Sequence, residues 1–562
     1  MNLNAFFEHW KIAENPFKGE EARQDPVFWR LEGIDAPAAA ASGIAAAADR
    51  ASSAGLTVTT HPDFEKIAGG GGAVSGSEFE RPSTAIVFGE KGSGKTAIRI
   101  QLADRLAAYN RSHPNAKCLL IPYDDLNPIL DRFCERAPVD RRGKNPAPES
   151  PLTRFRLIDH IDAMLSLVVP RLIDPILREH KDDKGLPAAL DLSAAATPSH
   201  ASSQDDPRKR VRRLESGYRQ DLLLLQAVYD RPERADARTR KLRRTLRLRL
   251  PLGVFVWTLI AYLGWIAPAA LVYYLYEHDL LKPVPGFFTY SLLGVTTLYL
   301  AALIKRSVYD RLRYISLGHR LRKQVRILAR GDASFGRSIR QLPAALVDSA
   351  ILPMTSAEEP RYAMLDRLAR VLRPFGYGSM MLVIDRVDEP SAIAGDPDRM
   401  KSVIWPMLNN KFLQHPGLGV KMLLPMELRH ALFRESSSFF QEARLDKQNL
   451  IERLTWTGPM LYDLCNARLH ACLRRNDETH ARPITLLDLF GEDVTRQELA
   501  DALDQMHQPR DAFKLLYQCL VEHCSSVSHD SVQYRIPRHI LESVRKQQVE
   551  RVKQLYKGVR PA

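Results

Sequence analysis

Four short apolar runs punctuate the chain, each closed by a polar or turn-forming residue. They are Ala85-Ile86-Val87-Phe88 before a glycine-rich stretch, Cys118 to Pro122 before Asp124-Asp125, Ser379 to Asp385, and Val420 to Leu424 before Pro425. A fifth, weaker run covers Leu450 to Trp456. Continuous apolar runs of this length, without alternation, predict strands buried on both faces. Amphipathic spacing follows the first run, from Thr96 to about Tyr109, and recurs from Arg154 to Glu179. Strand runs alternating with helical ones predict an α/β fold around a parallel sheet. From Gly458 onward the pattern is helical, with a helix predicted over Ala512 to Glu522 and a basic tail over Gln533 to Ala562.

Two longer segments break this rhythm. Leu252 to Tyr276 and Val284 to Ile304 carry no charged residue. At about 1.5 Å per residue each is long enough to cross a hydrocarbon core of roughly 30 Å. Arg243, Arg244, Arg247 and Arg249 precede the pair, and Lys305, Arg306, Arg311 and Arg313 follow it. The turn Glu277-His278-Asp279-Leu280-Leu281-Lys282-Pro283 between them is not basic. The expectation is a two-span transmembrane hairpin in an inner membrane, with both termini inside by the positive-inside rule. Its stems would be basic helices, over Arg208 to Arg249 and around Val308, Leu312, Ile315, Leu321, Val325 and Leu328, next to anionic lipid.

The predicted organisation is therefore an N-terminal segment (1–35), a linker (36–80), a first part of the nucleotide-binding core (81–150), a helical stem (151–251), the hairpin (252–304), a second stem (305–375), a second part of the core (376–457), a helical lid (458–526) and a tail (527–562). Ala38 to Gly55, Gly69 to Gly76 and Ala194 to Pro207 read as linker or polar loop. The 562 residues, 45% hydrophobic and 26% charged, suit several folded domains. The net charge of +14 directs attention to acidic partners, anionic lipid or nucleic acid. Six scattered cysteines without CxxC spacing read as buried apolar residues in a reducing compartment, not as a zinc site. Met1 to Trp10 has no cleavable apolar core.

The candidate chemistry begins at Gly89-Glu90-Lys91-Gly92-Ser93-Gly94-Lys95-Thr96, a full GxxxxGK[ST] pattern between a predicted strand and a predicted helix. Glycines let the backbone curl so that successive N–H groups face phosphate oxygens, and the following helix adds its positive end. Lys95 supplies charge for the terminal phosphates of ATP, and Thr96 a hydroxyl for Mg²⁺. Met381 to Ile384 reads as a buried strand whose Asp385 can hold the Mg²⁺ shell. Hydrolysis also needs a carboxylate to orient water; Asp388 and Glu389 are the candidates. Pro509-Arg510-Asp511 opens a helix beyond the sheet, placing Arg510 either to reach the terminal phosphate or simply to begin that helix. Asn15-Pro16-Phe17 reads either as core packing or as a contact near the adenine.

These motifs resemble P-loop NTPases of the KAP type, within the STAND and AAA+-like ATPases. Residues 89–96, the segment 252–304 and Ile384-Asp385-Arg386-Val387-Asp388-Glu389 carry the likeness. Asn15-Pro16-Phe17 with Asp25 and Phe28 is similar to the N-terminal segment of secretion-type AAA ATPases, and Pro509-Arg510-Asp511 to the lid arginine motif. Two features depart from the AAA+ pattern: Arg386 stands where a second acidic residue is usual, and Pro425 ends the fourth run without an obvious polar sensor. The resemblance implies a membrane-anchored ATPase whose cycle drives a conformational or assembly switch, as a homo-oligomer, with a protein partner at the lid or stems. Two other readings are a membrane-tethered ATPase acting on nucleic acid and a scaffold that binds ATP without turnover. Against the former, the basic clusters concentrate beside the apolar pair.

Overall fold

The computed structural model describes residues 1–17, 21–32, 61–69, 77–136, 150–179, 190, 192, 206–248, 256, 259–260, 262–277, 287–348, 350–474, 484–527 and 533–556. Most of the predicted linker 36–80, nearly all of the polar loop from Ala194 to Pro207, the start of the first apolar segment and all but the first residue of the turn Glu277 to Pro283 lie outside them.

Five strands build one parallel sheet: β1 (Ala85–Gly89), β2 (Lys117–Tyr123), β3 (Tyr377–Ile384), β4 (Leu418–Pro425) and β5 (Asn449–Ile451). Their order is β2-β3-β4-β1-β5. The first four apolar runs are thus strands, of the fifth only Leu450 and Ile451 are, and β4 lies between β1 and β3. The β1–β4 register pairs Ala85 with Lys421 and Gly89 with Pro425, and β5 pairs Asn449 with Ala85. Every residue of β1 and β4 is buried, the burial expected of strands covered on both faces. The polar exception, Lys421, donates from its amine to the Ala68 carbonyl at 3.1 Å and to Ser83 Oγ at 3.3 Å. Those bonds offset the cost of a buried ammonium.

The chain divides into two compact units. The first comprises Met1–Ser112, Met381–Asp388 and Leu413–Ala562. Its helical part has its own core, in which Phe6, Phe7 and Phe17 pack with Leu461, Leu499, Leu516 and Ile540. Phe17 is therefore a core residue. Phe28 and Trp29 pack separately against Ala97 and Ile100 of the helix that follows the glycine-rich loop.

The second unit comprises His113–Met380 and Glu389–Phe412. The helices Leu157–Leu177, Ser216–Tyr229, Ala235–Thr245 and Glu359–Leu372 pack on one another there. Several arginines of the predicted helical stems (151–251 and 305–375) hold these helices together. Arg238 is buried and pairs with Asp230 at 2.8 Å, Asp174 at 2.9 Å and Glu179 at 2.5 Å. Arg208 donates to the carbonyls of Ile176 and Leu177 at the end of a helix, where cations are favoured. Arg367 and Arg370 share Asp221.

The expected transmembrane hairpin is not borne out. Among the described residues no helix is long and apolar enough to cross a membrane. The first apolar segment is interrupted by a turn at Gly264-Trp265, and its helix Ile266–Glu277 has 12 residues. That is a rise of about 18 Å against a core of roughly 30 Å. The second helix, Phe287–Ile304, runs into a π-helical turn that carries Lys305 and Arg306. With the spans go the integral bilayer partner, the inner-membrane localisation and the orientation drawn from the positive-inside rule.

Candidate functional site

β1 delivers the chain to a loop with two glycines in the left-handed region, Gly92 at φ 100° and Gly94 at φ 96°. Only glycine enters that region without strain. The helix Lys95–Ser112 then begins at once, its first turn closed by the Ile98 N–H donating to the Gly94 carbonyl at 2.9 Å. The loop's shape is thus dictated by glycine spacing and by the helix start.

Lys95 is folded back onto its own loop, donating to the carbonyls of Gly89 at 2.5 Å and Glu90 at 2.9 Å. Burial lowers its pKa below the usual lysine value, and the negative charges of Asp385, Asp388 and Glu427 oppose that shift. Thr96 donates from Oγ1 to Asp385 Oδ2 at 3.1 Å, joining residues 289 positions apart. Asp385 is 1% exposed and also receives the Arg99 guanidinium at 3.4 Å and the Arg386 N–H at 3.0 Å. Asp385 reaches the loop although β3 is not β1's neighbour, because β4 alone separates them. Asp388 pairs with Lys91 at 3.0 Å. Glu389 is exposed on the turn that follows and belongs to the second unit.

The loop is held from outside by the helical part of its own unit. The Trp456 indole N–H donates to the Ser93 carbonyl at 2.9 Å. Glu90 accepts from Arg453 at 2.8 Å and from the Gln508 amide. A Cβ placed on Gly92 would lie 2.9 Å from Arg510 Cβ and from Gln508 Oε1. The start of the helix Pro509–Ser526 therefore rests on the loop, and Arg510 is brought to it. Arg386 adopts φ 59° and pairs with Glu21 of the N-terminal segment.

A phosphate chain with Mg²⁺ fits these residues on two counts. The left-handed glycines leave a cradle without Cβ atoms, and the Ser93 hydroxyl inside it is buried without a hydrogen-bond partner among the described residues. Thr96 and Asp385 supply two oxygen donors. Among the described residues no group of three or more His, Cys, Asp or Glu side chains could hold a metal. Mg²⁺ characteristically keeps few protein ligands and takes the rest from phosphate and water.

The sequence reading missed Arg99, Trp456, Gln508 and Glu427. The first sits one turn past Lys95 on the same helix, a spacing that was legible; the others become visible only through strand order and lid packing. Comparison with protein-family models, with curated proteins and with solved structures finds no match for this chain.

Proposed function

We propose that this chain binds ATP with Mg²⁺ in the loop Gly89 to Thr96 and hydrolyses it, using the cycle to change the position of the helices that rest on the loop. The observation that supports this is the 3.1 Å contact between Thr96 and Asp385, which joins the glycine-rich loop to the acidic strand end and pairs the hydroxyl and carboxylate that a phosphate-bound cation would use. Mg²⁺, when bound, would neutralise charge on the terminal phosphates. The backbone N–H groups from Gly92 to Thr96 would take the phosphate oxygens. Lys95 would leave the carbonyls of Gly89 and Glu90, which are weaker partners for an ammonium than phosphate is. Gln508 and Arg510 lie against Glu90 and Gly92, so a change in loop shape reaches the lid directly.

Phosphate release from MgATP tests this. The full chain should turn over, and Lys95→Ala should lower the rate by about a hundredfold or more, as loss of one preorganised donor does. A Lys95→Ala protein with the parent rate would sink the reading.

A further inference from the structure

We propose that Glu427 is the carboxylate that orients and deprotonates the attacking water. This rests on the hydrolysis proposed above and replaces neither Asp385 nor Lys95. In the parallel register Gly89, the first residue of the loop, lies opposite Pro425, the last of β4. The two chains leave the sheet side by side at the same end, and Glu427 is two residues past that point. The short helix Met426–Leu432 that carries it packs on both β1 and β4. Three carboxylates, Asp385, Asp388 and Glu427, act electrostatically on the Lys95 amine.

Two of the three are already engaged. Asp385 is held by Thr96, Arg99 and a backbone N–H. Asp388 is held by Lys91. Glu427 is exposed and makes no hydrogen bond or ion pair among the described residues. A base must have a lone pair available to water at hydrogen-bond distance, and a carboxylate engaged by a cation is a weaker one. β4 lies between the loop strand and the Asp385 strand, so in the sheet its end comes between the strand ends that carry the glycine-rich loop and Asp385.

In the step, the water oxygen bonds to the terminal phosphorus while the bond from that phosphorus to the bridging oxygen breaks. The bonding pair leaves with ADP, the water's proton passes to Glu427, and Glu427 returns it to the released phosphate. The net change is ATP and water to ADP and phosphate.

The test uses the full chain with Glu427→Gln, which keeps size and removes the base. Single-turnover hydrolysis of bound ATP and equilibrium ATP affinity are measured separately, with the melting temperature as a control on folding. Hydrolysis should fall by about 100- to 10,000-fold, the usual worth of a general base, with affinity nearly unchanged. Glu427→Asp should recover part of the rate, and the loss should exceed that in Asp388→Asn. A parent rate in Glu427→Gln, or a loss of affinity matching the loss of rate, overturns the assignment while leaving the ATPase reading intact. A parent protein that binds no ATP overturns both.

Discussion

Two glycines in one loop do different work. Gly92 and Gly94 both occupy positive φ, so either replacement strains the backbone by about 1–3 kcal/mol. At Gly94 the nearest atom to an added Cβ is Trp456 Cζ2 at 3.8 Å, an ordinary contact. At Gly92 the added Cβ would fall 2.9 Å from Arg510 Cβ, so the start of the lid helix must move. Gly92→Ala should therefore destabilise the chain more than Gly94→Ala, by roughly 1–3 kcal/mol of overpacking. Denaturant unfolding of the two variants decides this; equal losses would show that the lid does not rest on Gly92. The glycine pattern itself was legible in the sequence. That Arg510 and Gln508 meet one of those glycines was not, since they lie more than four hundred residues downstream.

At the scale of elements, the strands were legible because burial on both faces leaves a run of apolar residues with no alternation. Their order was not, because parallel neighbours are set by crossovers and not by adjacency in the chain. Glu427 was overlooked for that reason: Pro425 correctly marks the end of β4, and only the pairing with Gly89 sets that end beside the start of the glycine-rich loop. The helix Leu157–Leu177 shows a second kind of hidden information. His160 is fully buried, accepting from the Tyr123 hydroxyl at 3.0 Å and donating from Nε2 to the Val403 carbonyl at 2.7 Å. Burial pushes its pKa down to about 4. Asp162, two residues on, is pushed up to about 7 by burial, which outweighs the nearby Arg361 and the hydroxyl of Tyr229.

These two groups pull stability in opposite directions over one pH window. Unfolded His160 takes up a proton below the ordinary histidine value of 6.5, while the folded state stays neutral down to about 4. Its contribution is full above 6.5 and is lost as pH falls towards 4. Folded Asp162 keeps its proton up to about 7, while the unfolded carboxyl, with the ordinary aspartate value of 3.8, does not. Its contribution is full below 3.8 and is lost as pH rises through 7. In the parent the two slopes oppose. Replacing His160→Gln removes one, so the stability difference between parent and variant should change by about 1.4 kcal/mol per pH unit between 4 and 6.5, and be constant above that. Urea midpoints at several pH values read this; a constant difference throughout would contradict it.

For the whole molecule, the feature most conspicuous in the sequence was the one that misled. Hydropathy counts charges along a segment, and two uncharged segments between arginines look like spans. The turn at Gly264-Trp265 shortens the first to a helix of 12 residues, and buried carboxylates such as Asp174, Asp221 and Asp230 engage arginines of the predicted stems, among them Arg238, Arg367 and Arg370. What endures is the site: a glycine-rich loop and an acidic strand end, nearly three hundred residues apart, brought within hydrogen-bonding distance. Equilibrium titration of the full chain with ATP, with and without Mg²⁺, examines that site without relying on turnover. Saturable binding should weaken about ten- to a hundredfold in Lys95→Ala, the worth of one charged hydrogen-bonding partner. In Asp385→Asn, Mg²⁺ should no longer tighten it. Equal affinity in parent and Lys95→Ala, or an undiminished Mg²⁺ effect in Asp385→Asn, would contradict a nucleotide site built on this loop.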